Sequence, residues 1–205
     1  MFTAETLAAT VAERAAPVRV NETAPILVET AVARGEGRLS VDGAFVAETG
    51  QFTGRSPKDK YIVRDAATED LVWWDNAQAM TPAQFDLLLD DMRASLEGIE
   101  LFSQQLYAGA DLKHQLNVAV LTPSAWHALF IRNLLIRPAP AALEGFAANV
   151  TILHNPDFKA DPARHGVRSE TVIALDFARN IVLIGGTAYA GEIKKSVFSL
   201  FNFHA

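Results

Sequence analysis

The sequence predicts an α/β fold built on a mixed sheet, and three observations predict it. Short apolar runs of strand length alternate with stretches of helical spacing. An Asp42-Gly43 pair sits between two such runs, as in a β-hairpin. The element order mixes that hairpin with strand–helix steps, which argues against a purely parallel sheet. The chain has 205 residues, 50% hydrophobic and 20% charged. A domain of that size buries about 70% of its unfolded surface. No linker, repeat or low-complexity tract divides it, so a single domain over residues 1–205 is expected, with residues 1–20 a loosely packed helix.

The elements follow in order. Thr3 to Ala15 places Leu7 and Val11 at helical spacing. Thr23 and Pro25 supply an N-cap and an early-helix proline for a second helix, which the Gly35/Gly37 pair ends. Leu39-Ser40-Val41 and Ala44-Phe45-Val46 flank the Asp-Gly turn. The glycine-punctuated, polar run from Gly50 to Lys60 is a loop. Tyr61-Ile62-Val63 and Leu71-Val72-Trp73-Trp74 read as strands. Thr81-Pro82-Ala83-Gln84 is a capping box opening a helix to about Leu96, with Phe85, Leu88, Leu89 and Met92 on one face. Leu101 to Tyr107 and Leu116 to Leu121 are strands, and Thr122-Pro123 starts a helix through Trp126, Leu129, Phe130 and Leu134. Val150 to Leu153, Thr171 to Leu175 and Asn180 to Ile184 are further strands, with a polar loop from Asn155 to Arg168 between the first two.

Composition excludes several classes. The net charge of −6 argues against a nucleic-acid partner, which needs a basic face. The absence of cysteine excludes disulfides and thiolate chemistry. Met1 to Pro17 carries Glu5 and Glu13 and no basic n-region, so it is not a secretory signal. No apolar run approaches the roughly 18 residues of a membrane span. A cytoplasmic protein with no membrane partner is expected.

The richest segment is Gly185-Gly186-Thr187-Ala188-Tyr189-Ala190-Gly191-Glu192-Ile193-Lys194-Lys195-Ser196. It carries a tyrosine and two adjacent lysines from a buried strand into a helix. Open α/β sheets bind ligands at such strand ends. Neighbouring helical residues point about 100° apart, so both lysines meet one ligand only near the helix start. A lysine beside another cation has a lowered pKa, and its neutral amine can act as a base or ligate a metal. Alternatively the pair is simply exposed, with Glu192 complementing the helix dipole. Arg55, in Thr53-Gly54-Arg55-Ser56-Pro57-Lys58-Asp59-Lys60, suits a bidentate grip on a carboxylate or phosphate. The same residues also fit a solvated charged turn. Glu192 stands where a Walker A lysine would, so no nucleotide-binding residues are expected in this chain. His127 reads as structural, His114, His154 and His165 lack zinc-ligand spacing, and His204 reads as frayed.

Taken together, Thr53 to Lys60 and Gly185 to Lys195 resemble ATP-dependent phosphoenolpyruvate carboxykinase. Arg34-Gly35-Glu36-Gly37, Ala125 to Phe130, Asn133 to Pro138, Phe158 to Pro162 and Arg168 to Thr171 extend the likeness, in family order, over about residues 24–203. The resemblance implies the substrate-binding N-terminal domain of an enzyme of gluconeogenesis. That enzyme, a carboxy-lyase, converts oxaloacetate and ATP to phosphoenolpyruvate, carbon dioxide and ADP. It implies Mn²⁺ or Mg²⁺ and ATP as cofactors of the complete enzyme, and a C-terminal nucleotide-binding domain as partner. Carried over by position, Arg55 binds the substrate carboxylate and Tyr189 sits at the carboxylate or carbon dioxide end. Lys195 is a neutral-amine metal ligand, and Lys194 steadies substrate or phosphoryl charge. The family's further His and Asp metal ligands, its P-loop and an additional Arg fall beyond residue 205, which implies a chain inactive alone. A stand-alone carboxylate- or phosphate-binding module and a non-functional truncated fragment are the alternatives.

Overall fold

The fold was analysed in a computed structural model whose described residues are 2–204. In chain order the elements are α1 (Ala4–Arg14), β1 (Val18–Val20), α2 (Ala24–Ala33), β2 (Gly37–Leu39), β3 (Phe45–Ala47), β4 (Lys60–Val63) and β5 (Gln78–Met80). Then come α3 (Pro82–Ser95), β6 (Leu101–Ala108), β7 (Leu116–Thr122), α4 (Ala125–Leu134), α5 (Pro140–Leu143) and β8 (Val150–Asn155). The last are α6 (Pro162–His165), β9 (Val172–Asp176), β10 (Ile181–Gly185) and α7 (Gly191–His204). An eight-stranded sheet has the order β1-β6-β7-β8-β10-β9-β4-β5, and β2 and β3 form a separate ribbon. The sheet is mixed, as expected. β7, β8 and β10 run together in its centre, while β6 and β9 run against them.

That topology has a consequence for function. Thr122 faces Phe102, Asn155 faces Gly185, Gly185 faces Val172, and Lys60 faces Ile173. The carboxyl ends of β7, β8 and β10 therefore share one sheet edge with the amino ends of β6, β9 and β4. The loops before β4 and after β10, which hold the candidate residues, emerge side by side.

The central strands are continuously apolar because both faces are covered. Ile181, Leu183 and Leu153 pack toward α1 and α3, with Leu7, Val11, Phe85, Leu88, Leu89 and Met92. Their neighbours Val182, Ile184 and Ile152 pack toward α7, with Ile193, Val197 and Leu200. A smaller cluster joins Leu27 and Ala31 of α2 to Ala125, Ala128 and Leu129 of α4. The Thr81 capping box forms as read, with Gln84 N–H donating to Thr81 Oγ1 and Thr81 N–H to Gln84 Oε1.

Several readings need correction. The first helix is not loosely packed: Leu7 and Val11 are buried, and Thr151 Oγ1 donates to the Ala4 carbonyl at 2.7 Å. The ribbon pairs Leu39 with Phe45, so Ser40 to Ala44 form a longer connection than a two-residue turn. Leu71 to Trp74 is not a strand. The Leu71 and Val72 amides turn back onto Thr68, and the strand of this region is β5, which starts seven residues after Leu71. Trp74 spends its polarity locally, its indole N–H donating to the Glu69 carbonyl. α4 is capped by Ser124 rather than Thr122. α6 lies inside the loop from Asn155 to Arg168, capped by Asp161. His204 is ordered within α7, donating from Nε2 to Asn180 Oδ1 at 2.6 Å.

Candidate active site

The loop before β4 is fastened at its far end. Asp59 is buried, accepting from Arg168 Nη2 at 3.0 and 3.1 Å and from Ser169 Oγ at 2.8 Å. Tyr61 Oη accepts from the Arg168 amide at 2.8 Å. The Arg168-Ser169 segment thus holds the turn that presents Arg55. Only Arg55 and Lys58 keep the exposure of a solvated turn; Asp59 is buried and Lys60 half-buried.

Glu192, in the first turn of α7, joins this loop to the helix. Its carboxylate accepts from the Ser56 amide at 2.6 Å. Burial pushes its pKa up, while the Ser56 N–H, Arg55 and Lys60 hold it down. Lys60 Nζ donates to Ser199 Oγ, two turns along α7 from Glu192, at 2.7 Å. Burial pushes the Lys60 amine below its ordinary range. Glu192 resists this, and the charges of Arg55 and Lys195 add to it. A lysine with a lowered pKa thus stands at Lys60, which the sequence hides in an ordinary charged run.

The charges of Arg55 and Lys60 act on one carboxylate, Glu192, and that of Lys195 acts on Lys60, while Asp59 is already engaged by Arg168. Positive charge is in excess there, and such a cluster favours an anion. Lys195 Nζ also lies 5.1 Å from the centroid of the Phe198 ring. Lys194 goes elsewhere. It is exposed and lines a hollow with Tyr107, Leu134, Ile136 and Phe201 on the other flank of α7. The two lysines diverge as the 100° step requires.

Tyr189 folds back over the start of α7. A Cβ placed on Gly191 would stand 2.5 Å from Tyr189 Cε1 and 3.1 Å from its phenol oxygen. Glycine here is a matter of room for the ring. Gly191→Ala is therefore expected to change stability by no more than about 1 kcal/mol, since alanine suits a helix start better than glycine. The Tyr189 ring should move away, which its proton resonances will report against those of Tyr61 and Tyr107.

Behind this loop lies an arrangement that local spacing could not reveal. His127 of α4 and His154 of β8 are buried, with ring centroids 4.1 Å apart. His127 Nε2 bonds the Ala188 carbonyl at 3.1 Å, and His154 Nε2 the Thr187 carbonyl at 3.2 Å. His154 Nδ1 meets Thr122 Oγ1, and His127 Nδ1 meets Ser124 Oγ, each at 2.8 Å. Glu36 caps α4 from outside, accepting from the amides of Ala125 and Trp126, with Ser124 Oγ 2.8 Å from its Oε2. Burial lowers the His154 pKa to about 4 and pushes His127 well below the ordinary imidazole range, His154 adding to the latter.

As for a metal, the described residues hold no group of three His, Cys, Asp or Glu side chains. Lys195 would offer a single amine, which does not by itself make a coordination shell. No helix of the described residues is long and apolar enough to cross a membrane.

Comparison with known proteins agrees with the earlier resemblance. The family described as phosphoenolpyruvate carboxykinase matches residues 16–205. A phosphoenolpyruvate carboxykinase (ATP) of Methylorubrum extorquens is 58% identical over 188 residues, covering 92% of this chain and 35% of that protein. One from Methylobacterium nodulans is 60% identical over 183 residues, covering 89% and 34%. One from Mesorhizobium japonicum is 59% identical over 186 residues, covering 91% and 35%. The chain spans about a third of the length of these relatives.

Proposed function

The chain belongs to the phosphoenolpyruvate carboxykinase family, and on that premise we propose that it forms the carboxylate-gripping part of an ATP-dependent carboxykinase site. The reaction is conversion of oxaloacetate and ATP to phosphoenolpyruvate, carbon dioxide and ADP. What supports the reading is one feature: Glu192 ties the Arg55 loop to α7, and the cations there, Arg55 and Lys60 acting on Glu192 and Lys195 acting on Lys60, outnumber its single charge. Both oxaloacetate and phosphoenolpyruvate carry at least two negative charges, which this balance suits.

In this reading Arg55 holds a substrate carboxylate through its planar fork, and Tyr189 lies at the carboxylate or carbon dioxide end. Lys195 would offer one amine to a divalent metal, Mn²⁺ or Mg²⁺, completed by ligands from outside this chain, and such a metal would supply Lewis-acid polarisation when bound. Lys194, on the other flank of α7, would serve phosphoryl charge only from that side. The remaining metal ligands and the ATP site are assigned to the two-thirds of the relatives' length that this chain does not span, and the chain alone is expected to be inactive. The cytoplasm is the proposed location.

Calorimetry tests the pocket. Phosphoenolpyruvate or oxalate should bind the chain, and Arg55→Ala should weaken binding roughly 10- to 100-fold, the usual range for losing a charged hydrogen-bonding partner. Binding indifferent to Arg55→Ala would remove Arg55 from the site.

A further inference from the structure

We propose that His127 and His154 are positioning residues for the anion pocket: a close, tilted imidazole pair that clamps the Thr187 and Ala188 carbonyls and so fixes the chain from which Tyr189 projects. This rests on the reading that Tyr189 faces the ligand.

The protonation of the pair follows from its partners. A peptide carbonyl only accepts, so both Nε2 atoms must carry hydrogen. The Thr122 hydroxyl then donates to His154 Nδ1, while Thr122 Oγ1 accepts from the Ser124 amide at 3.2 Å. His154 is fully satisfied as a neutral ring.

His127 is more finely balanced. Ser124 Oγ lies 2.8 Å from both His127 Nδ1 and Glu36 Oε2, and its single hydrogen can serve only one of them. A proton on Nδ1 would satisfy both contacts. It would also put a buried charge against a second imidazole 4.1 Å away. The alternative costs less, because Glu36 already accepts from the Trp126 amide at 2.7 Å and the Ala125 amide at 3.2 Å. The hydroxyl therefore turns to His127, and both rings are held neutral with hydrogen on Nε2.

The clamp reaches the site through the backbone. The Tyr189 amide donates to Thr187 Oγ1 at 3.2 Å, and the Tyr189 carbonyl accepts from the Glu192 amide at 3.1 Å. The segment gripped by the imidazoles is thus the one that hands Tyr189 and Glu192 to the start of α7. Glu36 and Ser124, far along the sequence, touch the pocket only through His127.

The test uses the 205-residue chain. Nitrogen-15 spectra of the unmodified protein at neutral pH should show both histidines as the Nε2–H tautomer; an Nδ1–H tautomer at either overturns the clamp. His127→Phe and His154→Phe keep an aromatic ring but remove the donor, and should weaken phosphoenolpyruvate binding about tenfold. His127→Gln, which restores a donor at a similar reach, should recover most of that loss. In a Tyr189→Phe background the His127→Phe effect should shrink, whereas beside Arg55→Ala it should persist in full. Phe variants that bind like the unmodified chain overturn the proposal. If the unmodified chain binds no phosphoenolpyruvate, the substrate reading fails by itself. The clamp is then judged by hydrogen exchange: faster exchange of the Tyr189 and Glu192 amides in the Phe variants supports it, and unchanged exchange overturns it.

Discussion

Between pH 6.5 and pH 4 the chain should lose about 3 kcal/mol of stability through His154. The folded protein holds this imidazole at a pKa of about 4, because burial penalises the charged ring more than the Thr187 carbonyl helps it. The unfolded chain restores the ordinary value, near 6.5. Within that window the unfolded state binds more protons than the folded state, so stability rises with pH. The contribution is complete above pH 6.5 and disappears as pH falls through 4. His127 acts in the same direction, its pKa also being depressed, first by burial and then by its partner. Glu192 works oppositely. Burial raises its carboxyl pKa, so the folded state takes that proton more readily and gains stability as the solution is acidified through its window. Denaturant titrations at several pH values should show the fall, and His154→Gln should flatten it by close to one proton. An unchanged slope in that variant would mean that His154 titrates normally in the folded chain.

The fold was largely legible because most of its elements announce themselves locally. The Thr81 capping box and the face of Phe85, Leu88, Leu89 and Met92 give α3 without any tertiary knowledge. The central strands were legible for another reason, since strands covered on both sides by helices must be apolar throughout. What failed were elements made by their partners. β1 is three residues long and exists because Val18 to Val20 pair with Leu101 to Ser103. Leu71 to Trp74 has strand-like composition but no partner strand, and Leu71 and Trp73 are exposed. β-propensity without pairing decides little.

The candidate site divides the same way. Arg55, Tyr189, Lys194 and Lys195 stood out because glycines and a proline frame them. Lys60 did not, because its burial depends on α7, and its partner Ser199 is 139 positions away. The paired histidines were hidden for the same reason. Ser124 and His127 sit three apart on one helix start, but His154 arrives on β8 and the carbonyls they grip follow β10. Spacing rules for zinc had nothing to say about two neutral rings tilted against each other.

The largest single-site loss of stability is expected for Gly186→Ala. Gly186 leaves β10 with φ +68°, in the left-handed region that costs a side-chain-bearing residue about 1 kcal/mol or more. The added carbon would also stand 2.6 Å from the Glu170 carbonyl oxygen and 3.0 Å from that of Phe158. Both obstacles are backbone, so no side chain can rotate to make room. Nor can the glycine peptide move freely. Its N–H donates to the Asn155 carbonyl at 3.2 Å, and its carbonyl accepts from Thr171 Oγ1 at 2.8 Å. Relief of the clash must break one of these bonds or shift the loop from Phe158 to Thr171, which carries the Arg168 anchor of Asp59. Overpacking of this kind adds a further 1 to 3 kcal/mol or so. The total is about 2 to 4 kcal/mol, a large share of the roughly 5 to 15 kcal/mol that stabilises a typical domain. Gly43→Ala provides the comparison. Its φ is also positive, at +80°, but nothing lies within 4 Å of the added carbon, so only the backbone cost of about 1 kcal/mol should appear. Urea denaturation of the two variants separates the terms. Equal losses would mean that the Glu170 and Phe158 carbonyls yield easily, and that the turn after β10 is far softer than its hydrogen bonds require.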